Sequence, residues 1–192
     1  MSLLEKKLTK AWAEEVIPEK SRLISAIIFD LQEMGKKLAA ELDLKDYESL
    51  DQFLDDHDKG KSPLDRLEGK ADREDNVFIL KKCPLVKLVE SLKGPDGKLP
   101  KYYLRVGEKY MEIYKTKTAI LHPFCIVHQV IRSIVGEHIK IKDKPMHVYQ
   151  IACRSIKGKV VCASEGMTRI KMKQEEVEAK IDGMACMYML KP

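Results

Sequence analysis

Read for the spacing of its apolar positions, the chain divides into a helical front and a strand-rich back. Leu4, Leu8, Trp12 and Val16 fall at four-residue steps with Leu3 and Ala11 beside them, which predicts one apolar stripe of a helix over residues 2–16. Pro18 interrupts that stripe. A longer helix is predicted from about Pro18 to Leu42, where Ile24, Ile27, Ile28, Leu31, Met34, Leu38 and Leu42 recur at threes and fours and the proline suits a first turn. Its stripe fits either a core wall or a dimer seam. Tyr47, Leu50, Phe53 and Leu54 continue in a shorter helical pattern. DDHDKGKSPLDRLEGKADRED then lacks any sustained apolar period, so residues 55–75 read as a polar connector.

From Asn76 the period changes. VFIL (77–80) is a short buried-strand pattern, and CPLVKLVESLKG reads as a helix with Pro84 in its first turn and Gly94 just past its end. A turn at GPDGKLP precedes a helical stretch from about Tyr102 to Tyr114. In LHPFCIVHQVIRSIVGEH, Pro123 sits at a helix start, Val127, Val130, Ile131 and Ile134 supply a buried face, and Gly136 marks the expected end. HIKIKD alternates, MHVYQIACRS is β-rich, and KVVCASEG returns as its antiparallel partner after a turn at Lys157-Gly158. QEEVEAKIDG is a last helix and MACMYML a closing strand. Without regular strand–helix alternation the class is α+β: N-terminal helices followed by an antiparallel sheet packed against helices. Three parts are expected: a helical segment (1–54), the connector (55–75) and an α+β ligand-binding domain (76–192).

Composition narrows the partners. At 192 residues, 44% hydrophobic and 34% charged, the chain suits a folded protein with one sizeable core. No apolar run reaches the roughly 18 to 20 residues that cross a bilayer, and the N-terminus lacks a basic-then-apolar signal, so a cytoplasmic protein with no membrane partner is expected. Residues 1–75 hold 13 basic against 19 acidic side chains and residues 76–192 hold 22 against 11, a split of −6 and +11. The basic half suits a small anionic ligand. Its lysines are scattered and no base-reading motif accompanies them, which argues against nucleic acid.

The chemistry lies in the thiols and histidines. Five cysteines is an odd count, and a reducing compartment favours thiols or metal ligands over a disulfide framework. Cys83 precedes Pro84 and Cys125 follows Pro123 by two, so both sit at predicted helix starts, where unpaired backbone N–H groups favour a thiolate. His128 follows Cys125 by three and shares its helix face, with Arg132 one turn beyond. That pair suits two metal ligands or a thiol activated by an imidazole. Cys153 and Cys162 lie on the two arms of the predicted hairpin, near-opposite if the turn is tight, and Cys186 lies in the closing strand. Each cysteine also suits plain core packing. The sequence has no Walker loop, GxGxxG after a strand, GxSxG or HExxH.

Two families share parts of this pattern. IVHQVIRSIVG, EHIKI and CRSIKGKVVC, between Phe124 and about Glu165, resemble the 4-vinyl-reductase, or predicted hydrocarbon-binding, domain, in which a glycine-ended helix leads into basic strands and a C...G...C hairpin. Cys83-Pro84 and GMACMYM, with Tyr188 in an aromatic place, are similar to the thiazoline-carboxylate hydrolase family. Both likenesses imply a sheet packed on helices with a cysteine-lined pocket, in small cytoplasmic proteins. The first family's fold is shared with vesicle-trafficking subunits and haem-based gas sensors, and is often dimeric.

The expectation is therefore a small-molecule-binding or sensing protein, taking a hydrophobic or anionic ligand, with a zinc or iron-sulfur centre held by Cys83, Cys125, Cys153 and Cys186, and His128 as a substitute ligand. Cys162 is left out. The alternatives are a cysteine-dependent hydrolase with Cys125 as nucleophile and His128 as base, and a helical module that assembles homodimers through the long N-terminal helix.

Overall fold

The structure, a computed structural model, describes residues 2–7, 14, 24–83, 85–98, 123–154, 160–162, 164–181 and 185–192. In chain order its elements are α1 (Leu3–Lys7), α2 (Ile24–Glu41), α3 (Leu50–Asp58), α4 (Pro63–Glu68), β1 (Asp72–Glu74), β2 (Val77–Leu80) and α5 (Val86–Ser91). They continue with α6 (Pro123–His138), β3 (Lys140–Ile141), β4 (Lys144–Pro145), β5 (His147–Arg154), β6 (Val160–Cys162), α7 (Ser164–Ile170), α8 (Gln174–Lys180) and β7 (Cys186–Lys191).

The α+β class holds: an antiparallel sheet of order β1-β2-β7-β5-β6 is packed with helices. Chain-distant β7 enters the middle, between β2 and β5, which explains its nearly continuous apolar run: both of its faces are buried. On one face Phe78, Leu80, Cys186, Tyr188 and Leu190 join the α2 and α6 side chains in the main core. On the other, Ile79, Met187 and Met189 pack with Ile151, Val177 and Ile181.

The stripe of the long N-terminal helix is spent inside the chain. Ile27, Leu31 and Leu38 are buried, and α2 crosses α6 so closely that a Cβ on Gly35 would come within 2.9 Å of Ile134 Cβ. α6 continues two residues past Gly136, the expected end. That glycine serves close approach: a Cβ there would meet the Met146 carbonyl oxygen at 2.9 Å and Val148 Cγ2 at 2.8 Å.

Residues 55–75 are not a solvated connector. They hold the end of α3, all of α4 and β1, and Leu64, Leu67 and Glu68 are buried. A six-residue helix shows too little period to stand out, yet its start carries a recognisable cap: Ser62 accepts from the Asp65 backbone N–H while the Asp65 side chain accepts from the Ser62 N–H, with Pro63 following. His57 is buried as well. Its Nε2 donates to the Ala71 carbonyl at 2.9 Å and its Nδ1 lies 2.8 Å from Asp65 Oδ1. A further difference is α7, which begins two residues after β6 in a stretch expected to extend the hairpin arm. The expected helix at 102–114 and the turn at Lys157-Gly158 lie outside the described residues, as do Pro18 and much of the first expected helix.

Candidate functional site

Three consecutive turns of α6 organise the site. Gly136 sits against Val148, and Arg132, four residues back, reaches Gln150, so α6 runs antiparallel to β5. Going back from Gly136 to Cys125 covers about 16 Å along a helix, and Val148 to Cys153 covers about 16 Å along a strand. The first turn of α6, which carries Cys125, is therefore level with the far end of β5. The Cys125 side chain itself lies outside the described residues.

Arg132 is the centre of a buried polar cluster. It is 1% exposed, and burying a guanidinium without partners would cost several kcal/mol. Its partners are supplied from three other segments, α4, β5 and β7. Nε donates to Glu68 Oε2 at 2.8 Å, and Nη2 is also 2.8 Å from that oxygen. Nη1 reaches Gln150 Oε1 at 3.3 Å and Cys186 Sγ at 3.5 Å. The Tyr188 ring lies beneath the guanidinium carbon at 4.0 Å, a cation–π contact in a dry setting. That ring stacks on Phe78 at 5.3 Å, and Phe78 meets His57 edge-on at 4.7 Å, which joins the two buried histidine–carboxylate pairs through aromatic contacts.

His128, one turn before Arg132, lies with Nε2 2.5 Å from Glu68 Oε2 and 2.9 Å from Arg132 Nη2. Burial would raise the Glu68 carboxyl, but the Arg132 charge first, then the adjacent His128, and the hydrogen bonds from both outweigh it and bring the pKa down to about 2. Burial and the Arg132 charge lower the pKa of His128, against the pull of Glu68. Burial would lower Arg132, but Glu68 and neighbouring groups hold it above its ordinary value. The cluster is thus an ionised carboxylate and guanidinium with an imidazole kept toward its neutral form.

The thiols converge next to it. Cys153 on β5 and Cys186 on β7 are directly paired residues. The register shifts between Gln150 and Ala152, so Ile151 and Ala152 both face the second core, while Gln150 and Cys153, three apart, face α6 together. In an unbulged strand, period two would have sent Cys153 to the opposite face from Gln150. The Gln150 side-chain nitrogen lies 2.8 Å from the Ala152 carbonyl oxygen, 3.0 Å from the Met187 carbonyl oxygen and 3.0 Å from Cys186 Sγ, and so holds the bulge and the thiol at once. Cys83, three residues past the end of β2, joins them: burial first, then the proximity of Cys186 and Cys153, pushes its thiol up to about 12. Burial raises Cys186 too, opposed by the adjacent Arg132 and by hydrogen bonds from Arg132 and Gln150.

Cys153 and Cys162 are not opposite one another. Cys162 pairs with Ala152, and Cys153 with Val161, a one-residue offset that puts Cys162 on the other face, among the second core. Of the sequence-predicted ligands, Cys153 and Cys186 are paired across β5 and β7, Cys83 lies near enough to feel both, and His128 joins the neighbouring Glu68–Arg132 cluster. Among the described residues no group of three or more His, Cys, Asp or Glu side chains is placed so that it could hold a metal ion. Sequence reasoning missed Glu68 and Gln150. Glu68 lies in a segment whose polar pattern predicts solvent exposure, and its one available signal is the SPLDRLE cap and apolar pair; Gln150 has none, because a bulge is invisible in a single strand's pattern.

On the opposite face of the sheet a cleft of about 730 Å³ opens between the β2 and β7 ends and α7. Val77, Ile170, Met172 and Met189 line it, with Arg169, Lys180 and Lys191 set against Glu74 and Asp75. No helix among the described residues is long and apolar enough to cross a membrane. No family model matches the chain, and neither a curated protein nor a solved structure shows significant similarity to it.

Proposed function

We propose that this chain is a small-molecule-binding or sensing protein organised by a thiolate metal centre, zinc or iron-sulfur, at the end of the sheet beneath the first turn of α6. The observation that supports the reading is the pairing of Cys153 with Cys186 across β5 and β7, with Cys186 against Arg132 and with Cys83 near enough to feel both sulfurs. Sulfur donors select zinc or iron-sulfur over hard cations. Three or four thiolates around such an ion leave net negative charge in a dry place, and the Arg132 guanidinium 3.5 Å from Cys186 Sγ offsets it. Cys125, whose helix turn is level with Cys153, is the fourth ligand of this proposal.

The engagement of His128 with Glu68 and Arg132 favours the metal reading over a Cys125–His128 hydrolase, in which the imidazole needs to face the thiol. The ligand, small and hydrophobic or anionic, is assigned to the cleft on the opposite face, where an apolar floor meets Arg169, Lys180 and Lys191.

Elemental analysis of anaerobically purified full-length protein tests the centre. Stoichiometric zinc or iron, lost in Cys83→Ser and Cys186→Ser and retained in Cys162→Ser, is expected. A folded, metal-free protein that takes up neither metal on reconstitution sinks the proposal.

A further inference from the structure

We infer that Cys153 and Cys186 form a reversible disulfide across β5 and β7 when the protein meets a peroxide. The inference rests on strand register. The Leu190 N–H donates to the Asn76 carbonyl at 3.0 Å, so the Leu190 backbone points toward β2. The β7–β2 ladder is unbroken from Met189 to Cys186, and backbone direction alternates along a strand, so the Tyr188 and Cys186 backbones also point toward β2. Relative to β5, Cys186 therefore occupies a non-hydrogen-bonded pair with Cys153. In such pairs the Cα atoms approach to about 4.5 Å and the side chains are closest, within the span a disulfide bridges. The bulge at Ile151 is what turns both sulfurs to the α6 face.

The two thiols differ in the way the chemistry requires. Cys186 is 5% exposed, whereas Cys153 is half-buried, so the first oxidation is assigned to Cys153. Hydrogen peroxide transfers one oxygen to the Cys153 thiol, giving a sulfenic acid and one water. Cys186 sulfur then attacks the Cys153 sulfur, the S–S bond forms, and the hydroxyl leaves as a second water with the Cys186 proton. Two thiols lose two hydrogens and one peroxide becomes two waters. Gln150 Nε2 at 3.0 Å and Arg132 Nη1 at 3.5 Å from Cys186 Sγ hold the attacking sulfur in place beside Cys153.

The pair uses two sulfurs assigned above to the metal centre, but it follows from the register whether or not a metal binds. Full-length protein, its metal content measured first, is treated with hydrogen peroxide, quenched with N-ethylmaleimide and mapped by mass spectrometry without reductant. A peptide linking Cys153 to Cys186, lost with dithiothreitol, abolished in Cys153→Ser and retained in Cys162→Ser, is expected. Recovery of both residues alkylated, or of either one linked to Cys83, Cys125 or Cys162, overturns the inference. If Cys153→Ser does not fold, the wild-type and Cys162→Ser maps still decide it. A link in metal-free protein upholds this inference while removing the metal reading; metal-loaded protein that gives no link does the reverse.

Discussion

Glu68→Gln is the sharpest perturbation of the buried cluster. Glutamine keeps the shape of the side chain and removes the charge, leaving the Arg132 guanidinium, 1% exposed, without its counter-ion. Breaking a buried pair by neutralising one member costs about 3–5 kcal/mol. The pH linkage of Glu68 gives an independent figure. Its pKa falls from 4.5 to about 2 on folding, which corresponds to about 3 kcal/mol of stability at neutral pH. Because the folded pKa is depressed, that stability is fully present above 4.5 and is lost as pH falls toward about 2. Against a total of roughly 5–15 kcal/mol for a domain, the loss is large. Urea unfolding at pH 7 should place the variant's midpoint well below that of the wild type at unchanged slope, and the gap should narrow as pH is lowered through the carboxylate range. Depressed His128 lowers stability in acid in both proteins, its contribution being present above the ordinary histidine pKa of 6.5 and lost as pH falls below it, so the narrowing is read below 4.5, where Glu68 titrates. A variant within about 0.5 kcal/mol of wild type at pH 7, or a gap that widens in acid, would refute the reasoning.

Two further outcomes are expected. Gly166→Ala should undock α7, since a Cβ there would run into the Gln150 carbonyl oxygen and lie 2.8 Å from Ile151 Cα at the bulge; with backbone in the way, a loss of about 2–3 kcal/mol is expected in thermal or urea unfolding, and an unchanged midpoint would contradict the close approach. Cys83, its thiol pushed up to about 12 by burial and by Cys186 and Cys153, should be alkylated at pH 8 at least about tenfold more slowly in native metal-free protein than in urea, and equal rates would place it in solvent.

Much of the scaffold was legible from the chain alone, because hydrophobic period is a local property. The stripe from Ile27 to Leu42, the VFIL strand, the closing strand at Cys186–Lys191 and the helix containing Val130, Ile131 and Ile134 all appear where the pattern puts them, and the α+β class follows from their order. The short α4 was not, since six residues hold less than two turns of period and its charged positions look solvated. Glu68 looks like any surface glutamate in sequence; only the arrival of Arg132 and His128 from sixty residues away makes its burial favourable.

Which residues sit together was decided by tertiary structure. Sequence alone marked Cys83, Cys153 and Cys186 as capable of thiolate chemistry, and it set the one-turn spacing of His128 and Arg132. It did not determine that β7 would insert between β2 and β5, which brings Cys186 beside Cys153 and next to Leu80, three residues before Cys83. Nor did it determine the bulge at Ile151, whose single extra residue decides the face on which Cys153 and Cys162 each point. Strand order and register are long-range choices, made by the burial of both faces of β7 and by the side chains available to satisfy a buried guanidinium, and no local period records either.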